Sequence, residues 1–139
     1  MKKHLFSLVA LGLLFVTASA HAQTVNLKAN VPFDFIVNQQ TMPKGEYTVK
    51  SIGTLGSEAL LVQNVAGSSV EGLLIGHSKE AYQPASVSKM VFHRYGDQYF
   101  LAQVWTLGNS AGQEFPKSSR EKELAKAATA SKIIVAANQ

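Results

Sequence analysis

With no cysteine among its 139 residues, the chain has no disulfide, thiolate nucleophile or thiolate metal ligand, so burial and hydrogen bonds alone must hold it together. Its 13 basic residues outnumber nine acidic ones, for a net charge of +4. Lys28, Lys50, Lys79, Lys89 and Lys132 are nevertheless spread along the chain, not gathered into the stripe that a nucleic-acid partner requires, and nucleic acid is excluded as a partner on that ground.

The first 22 residues have the three parts of a secretory signal peptide: Lys2 and Lys3, an apolar run from Leu5 to Val16, and the small-x-small site Ala20-His21-Ala22. The run is shorter than the roughly 20 residues a membrane-spanning helix needs, and no cysteine is there to carry a lipid. The expectation is export to the periplasm or the extracellular space, with the membrane met only through the leader before cleavage. Removing 22 of 139 residues leaves 117, enough for a single β-rich domain over 23–139. Lys2 and Lys3 leave with the leader, so 11 basic residues face nine acidic ones and the net charge falls to +2.

Along that domain the apolar period is mostly two, the mark of half-buried strands. In Val31-Pro32-Phe33-Asp34-Phe35-Ile36-Val37 the odd positions share one face, and proline, which cannot donate to a ladder, places the strand start or a sheet edge at Pro32. Met42-Pro43-Lys44-Gly45 has the residues of a turn. The strand after it points Tyr47 and Val49 inward and Glu46, Thr48 and Lys50 outward. Ala59 to Asn64 and Val70 to Ile75 are two further apolar runs, and Ala66-Gly67-Ser68-Ser69 between them predicts a hairpin. Lys79 to Ser88, with Pro84 and small polar residues, reads as a loop.

Lys89 to Tyr95 and Gln98 to Trp105 flank Gly96-Asp97, which suits a two-residue primed turn. That turn sets Tyr95 opposite Gln98, His93 opposite Phe100, Phe92 opposite Leu101 and Met90 opposite Gln103. One face then carries Met90, Phe92, Leu101, Tyr99 and Trp105, the other Val91, His93, Phe100, Ala102 and Val104. Both are apolar, which predicts a second sheet against one face and a helix or loop against the other.

A helix is expected over about 118–130. Ser118-Ser119-Arg120-Glu121 matches a capping box, in which serine accepts from the third helical amide and glutamate returns a bond. Glu123 and Lys126 are spaced to pair, and Leu124 is the one large apolar anchor. The β-branched run of about 132–136 is a closing strand, because leaving its aliphatic side chains in water costs roughly 1.5 to 3 kcal/mol each. Six or seven short strands, one late helix and no βαβ alternation predict a mainly β fold: an antiparallel β-sandwich or partly open barrel with one C-terminal-region α-helix.

Several strings resemble the shared pattern of a group of small exported proteins of unknown function from soil bacteria. They are Val31-Pro32-Phe33-Asp34-Phe35, Pro43-Lys44-Gly45-Glu46-Tyr47, Phe92-His93-Arg94-Tyr95-Gly96-Asp97, and Ser118 to Lys126. That pattern is a VPFDF-like opening, a P-x-G-x-Y turn and strand, and an E-K-E-L-A-K-like helix. The resemblance spans nearly the whole mature chain and implies secretion and a β-rich domain, with no activity attached. Pro43 to Val49 is also similar to the tyrosine corner of immunoglobulin-like sandwiches, where a buried tyrosine hydroxyl bonds to nearby backbone.

Reactive groups are few. His77 and His93 are the histidines of the mature chain, and with Glu80 or Asp97 they are the weak candidates for metal ligation; their spacing matches no ligand motif, and no cofactor is called for. Ser57, Ser69, Ser78, Ser86 and Ser110 lack a nucleophile elbow. The carboxylates Asp34, Glu46, Glu58, Glu71, Glu80, Asp97 and Glu114 show no pairing legible from sequence. Trp105, Tyr99, Tyr95 and Tyr82 are the candidate ligand-binding residues, as rings on which a sugar or apolar ligand could stack. The expected function is a non-enzymatic binding or structural module of the envelope or secreted fraction. Its partner would be an envelope protein, or a second copy met at the sheet edges. Small-ligand or carbohydrate binding in an aromatic-lined β-cavity is the alternative, and a metal-dependent or hydrolytic enzyme the remote one.

Overall fold

The computed structural model describes residues 25–52, 59–66 and 71–139. The signal peptide, Ser57, Glu58, Ser69 and most of the turn expected between Asn64 and Val70 lie outside the described residues. The described chain forms β1 (Asn26–Val31), β2 (Phe35–Val37), β3 (Gln40–Met42), β4 (Gly45–Ser51), β5 (Ala59–Asn64), β6 (Glu71–Ile75), β7 (His77–Glu80), β8 (Ser88–Tyr95), β9 (Gln98–Trp105), β10 (Ala111–Glu114), α1 (Ser119–Ala127) and β11 (Ser131–Ala137).

The fold is mainly β, in two sheets with one helix near the C-terminus and no closed barrel. One sheet runs β1-β4-β5-β6; the other runs β11-β8-β9-β10-β7, with β2 joined to β9 and β3 to β2. The ladders are antiparallel except for β2 on β9, which is parallel at Ile36 and Phe100. Alternation explains the layering. Leu27, Ala29, Val31, Tyr47, Val49, Leu60 and Val62 point inward from the first sheet, and Phe35, Val37, Met42, Met90, Phe92, Leu101 and Val104 meet them from the second. At one corner the sheets are tied directly, since Lys28 and Asn138 exchange backbone hydrogen bonds of 2.7 and 2.8 Å. At the opposite corner β6 faces the β2–β3 hairpin without ladder bonds.

Five expectations are corrected. Val31 to Val37 is not one strand: β1 ends at Val31, and the chain crosses at Pro32-Phe33-Asp34 into the other sheet as β2. Proline breaks the ladder for want of an N–H, yet Val31, Phe35 and Val37 are all buried, because the crossing preserves which side faces the core. The strands number eleven among the described residues, not six or seven. The short polar strands β3, β7 and β10 carry no apolar alternation to reveal them, and β7 occupies the start of the expected 79–88 loop.

The hairpin register holds from the turn outward to Phe92 opposite Leu101, then slips. Ala102 is an extra residue on β9, so Val91 faces Gln103 and Met90 faces Val104. A one-residue bulge sends every later side chain to the other face. Val104 therefore enters the core with Met90, and Trp105 leaves it for the opposite face, the reverse of the sequence-based assignment. The turn itself has positive φ at Gly96, 63°, and not at Asp97, as a II′ turn requires.

The tyrosine corner is present in its essential contact: fully buried Tyr47 donates its hydroxyl hydrogen bond to the Pro43 carbonyl. Asp34 Oδ1 accepts from the Lys44 amide at 2.8 Å, joining two of the places where the chain changes sheet. The helix is shorter than expected, ending at Ala127, and β11 pairs with β8 along its whole length. Among the described residues no helix is long and apolar enough to cross a membrane.

Candidate functional site

The capping serine behaves as its sequence suggests. Ser118 is extended, and its Oγ accepts from the Glu121 amide at 3.3 Å. The other half of the expected box is overturned, because the Glu121 carboxylate does not turn back to the Ser118 amide. It points into the sheet, where Oε1 lies 2.7 Å from His93 Nδ1 and accepts from the Tyr95 hydroxyl at 3.1 Å. Only 4% of Glu121 is exposed, and it is the one buried residue of α1. Burial, then the hydrogen bond to Glu121 and its negative charge, push the Tyr95 phenol up to about 12.

A buried carboxylate is costly unless hydrogen-bonded and paired. Here a phenol, an imidazole and the positive end of a helix meet that need together. The same contact holds the helix down, since Leu124 and Ala125 pack only partly buried against the small apolar cluster of Ile36, Tyr95 and Phe100. Sequence reasoning missed Glu121 as a site residue. Its position in a capping box accounted for it locally, and nothing local places His93 and Tyr95, 28 and 26 residues away, beneath it.

Beside Glu121 the uncoupled corner of the two sheets forms a groove of about 300 Å³. Ile36 lies on one wall, Leu73 and Ile75 on the other, Phe100 and Leu101 along the floor, and Pro116 at the helix end. Leu73 and Ile75 are 50% and 69% exposed. Near the other end of β6 the walls close, where a Cβ on Gly72 would come 2.6 Å from Val37 Cγ1.

The four candidate rings do not share a platform. Tyr95 is buried under α1. Tyr99 stacks on Phe33 at 3.8 Å, on the core side of β9, with the Arg94 guanidinium 5.5 Å from its ring. Trp105 lies on the opposite face, pressed so closely on Gly112 that a Cβ there would come 2.6 Å from its ring. Tyr82 is fully exposed in the loop after β7.

The histidines are likewise apart, since β9 and β10 lie between β7 and β8 in the sheet. His77 Nε2 is 3.6 Å from Glu114 Oε1, not beside Glu80 or Asp97. Glu114 is the hub of a second polar cluster, accepting from Lys79 Nζ and Gln103 Nε2 at 2.8 Å each, while Trp105 Nε1 donates to Gln103 Oε1 at 2.9 Å. The Lys79 hydrogen bond holds the Glu114 carboxyl below its ordinary range against the opposing effect of burial. Among the described residues no three His, Asp or Glu side chains gather as a metal site. Four of the remaining carboxylates are engaged separately: Asp34 with Lys44, Glu46 with Lys28, Glu71 with Gln63, Glu80 with Ser78.

Comparison with protein-family models, with curated proteins and with solved structures finds no match to this chain.

Proposed function

We propose that the chain is an exported, non-enzymatic binding module that receives its partner at the open corner between β6 and the β2–β3 hairpin. The observation that carries this reading is the exposure of Leu73 and Ile75 on a strand with only one ladder neighbour among the described residues, beside an apolar groove. Edge strands are ordinarily guarded by charge. The two ends of the larger sheet follow that rule, with Lys79 and Glu80 on β7 and Lys132 on β11. β6 carries only Glu71, at the end away from Ile75. An unguarded apolar edge offers main-chain hydrogen bonds and side-chain pockets to an extended segment, which is the chemistry of strand addition.

The mature chain, immobilised and exposed to an envelope extract, is expected to retain a partner that a Leu73→Lys, Ile75→Lys double variant of unchanged circular dichroism does not. Light scattering on both forms separates a second copy from a different protein. Retention of the same partner by the double variant, or its absence from both together with a monomer mass at high concentration, would sink the proposal.

A small apolar molecule is the second reading, because about 300 Å³ is the lower bound of ordinary ligand cavities. Apart from Phe100 and the polar Asn38, Ser118 and Glu121 the lining is aliphatic, which favours an acyl or terpenoid chain over a sugar. Displacement of a fluorescent fatty acid from the groove, lost in the same double variant, would distinguish it.

A further inference from the structure

On the other flank of α1 lies a second concavity, of about 390 Å³, with no carboxylate among its lining side chains. His93 and Lys132 stand directly opposite each other there on β8 and β11. Lys117 enters from ahead of the Ser118 cap, and Ala125 and Thr129 close the helix side. Neither lysine is in an ion pair with any described residue, whereas Lys28, Lys79 and Lys126 all are. His93 has its Nδ1 committed to Glu121, which leaves Nε2 as the nitrogen without a partner among the described residues.

We propose that this basin binds a phosphate-bearing anion, gripped by Lys117, Lys132 and Nε2 of His93. Three independent point donors suit a tetrahedral group with several acceptor oxygens better than a planar carboxylate, for which the fork of an arginine is the matching shape. The buried Glu121 gains a purpose beyond anchoring α1. By holding Nδ1 it fixes the ring's orientation and presents the other nitrogen to the basin, the part a carboxylate plays behind a ligating histidine. The groups facing His93 are Glu121 from α1, Lys132 from β11, Tyr95 from its own strand and the apolar Phe100 from β9. With the Nδ1 proton directed at Glu121, Nε2 donates only when the ring carries both protons.

The test titrates the mature chain with inorganic phosphate and with sulfate at constant chloride, following the His93 ring and lysine ammonium signals by NMR. Saturable shifts are expected, weakened about five-fold or more in Lys117→Gln and in Lys132→Gln, each of which removes one charged hydrogen bond. Both lysines are exposed, so these variants retain the fold. A parallel arm measures sedimentation with phosphatidylcholine vesicles, with and without phosphatidic acid. Binding that needs phosphatidic acid and both lysines places the phosphate on a lipid, and saturation by the free anions alone places it on a soluble molecule. Linear shifts that chloride reproduces, with no vesicle binding, would show solvated surface lysines with no anion site between them, and would overturn the proposal.

Discussion

Tyr95 shows how much one hydroxyl can carry. Its phenol is buried and bonded to a carboxylate, so the folded protein holds the proton until about pH 12, against an ordinary value of 10.0. Between those values the native state binds more protons than the unfolded chain, and stability declines as pH rises through that window. Below it, this contribution is fully present. Urea unfolding across pH 9 to 12 is expected to show that decline, and a Tyr95→Phe variant to lack the part of it that Tyr95 supplies. An unchanged slope in the variant would assign the alkaline loss elsewhere. The residues that make this contact are ordinary in sequence. His93 and Tyr95 read as alternate positions of a strand and Glu121 as a cap, because a capping motif describes a backbone need and is silent on where a side chain of spare length turns.

The β8–β9 hairpin is the element on which the two faces of the larger sheet depend. Its turn was legible in Gly96-Asp97, and the pairing is correct as far as Phe92 and Leu101. The bulge at Ala102 was not legible, since alanine is equally suited to a regular position. The reason for it lies outside the hairpin, on the far edge of β9. There β2 pairs at Phe100 and β10 at Gln103 and Val104, and the Ala102 carbonyl between them accepts from the Phe115 amide at 2.9 Å. Two neighbours share one edge, and the extra residue lies where one gives way to the other. Deleting Ala102 removes the extra residue and leaves Val91 opposite Gln103 and Met90 opposite Val104 in a regular ladder, so each side chain keeps its face while the carbonyl that accepts from Phe115 is lost. The expected result is a cooperative urea transition at a lower midpoint, with native Trp105 emission. Loss of the transition with a shift of Trp105 emission toward longer wavelength would show that the strand beyond the bulge does not keep its partners without it.

At the scale of the molecule, the ladders join distant parts of the chain. β11 pairs with β8 some 40 residues earlier, and the corner bridge links Lys28 to Asn138. Closing such loops costs entropy before contacts return it, so folding belongs in the millisecond to second range typical of β-sandwiches. Stopped-flow refolding followed by Trp105 fluorescence checks this, and a microsecond phase that accounts for the whole signal would contradict it. The architecture also distributes exposure unevenly. One corner is sealed by backbone bonds, while at the other β6 faces a hairpin it does not pair with, which leaves an apolar groove in a chain that has no disulfide to close it.

What the amino-acid order determined by itself was local. The period-two alternation of Tyr47 and Val49, the turn at Gly96, the Ser118 cap and the absence of cysteine each follow from backbone geometry or composition, and together they require a β-rich core without cross-links. The destination of each strand was decided by tertiary structure. Pro32 ends one ladder without saying which sheet comes next, Ala102 bulges because two strands meet on one edge, and Glu121 reaches His93 only once α1 lies across β8. Alternation specifies which side of a strand is buried, but its partner depends on long-range packing, and in this fold packing brings the phosphate basin and the apolar corner to opposite flanks of the same helix.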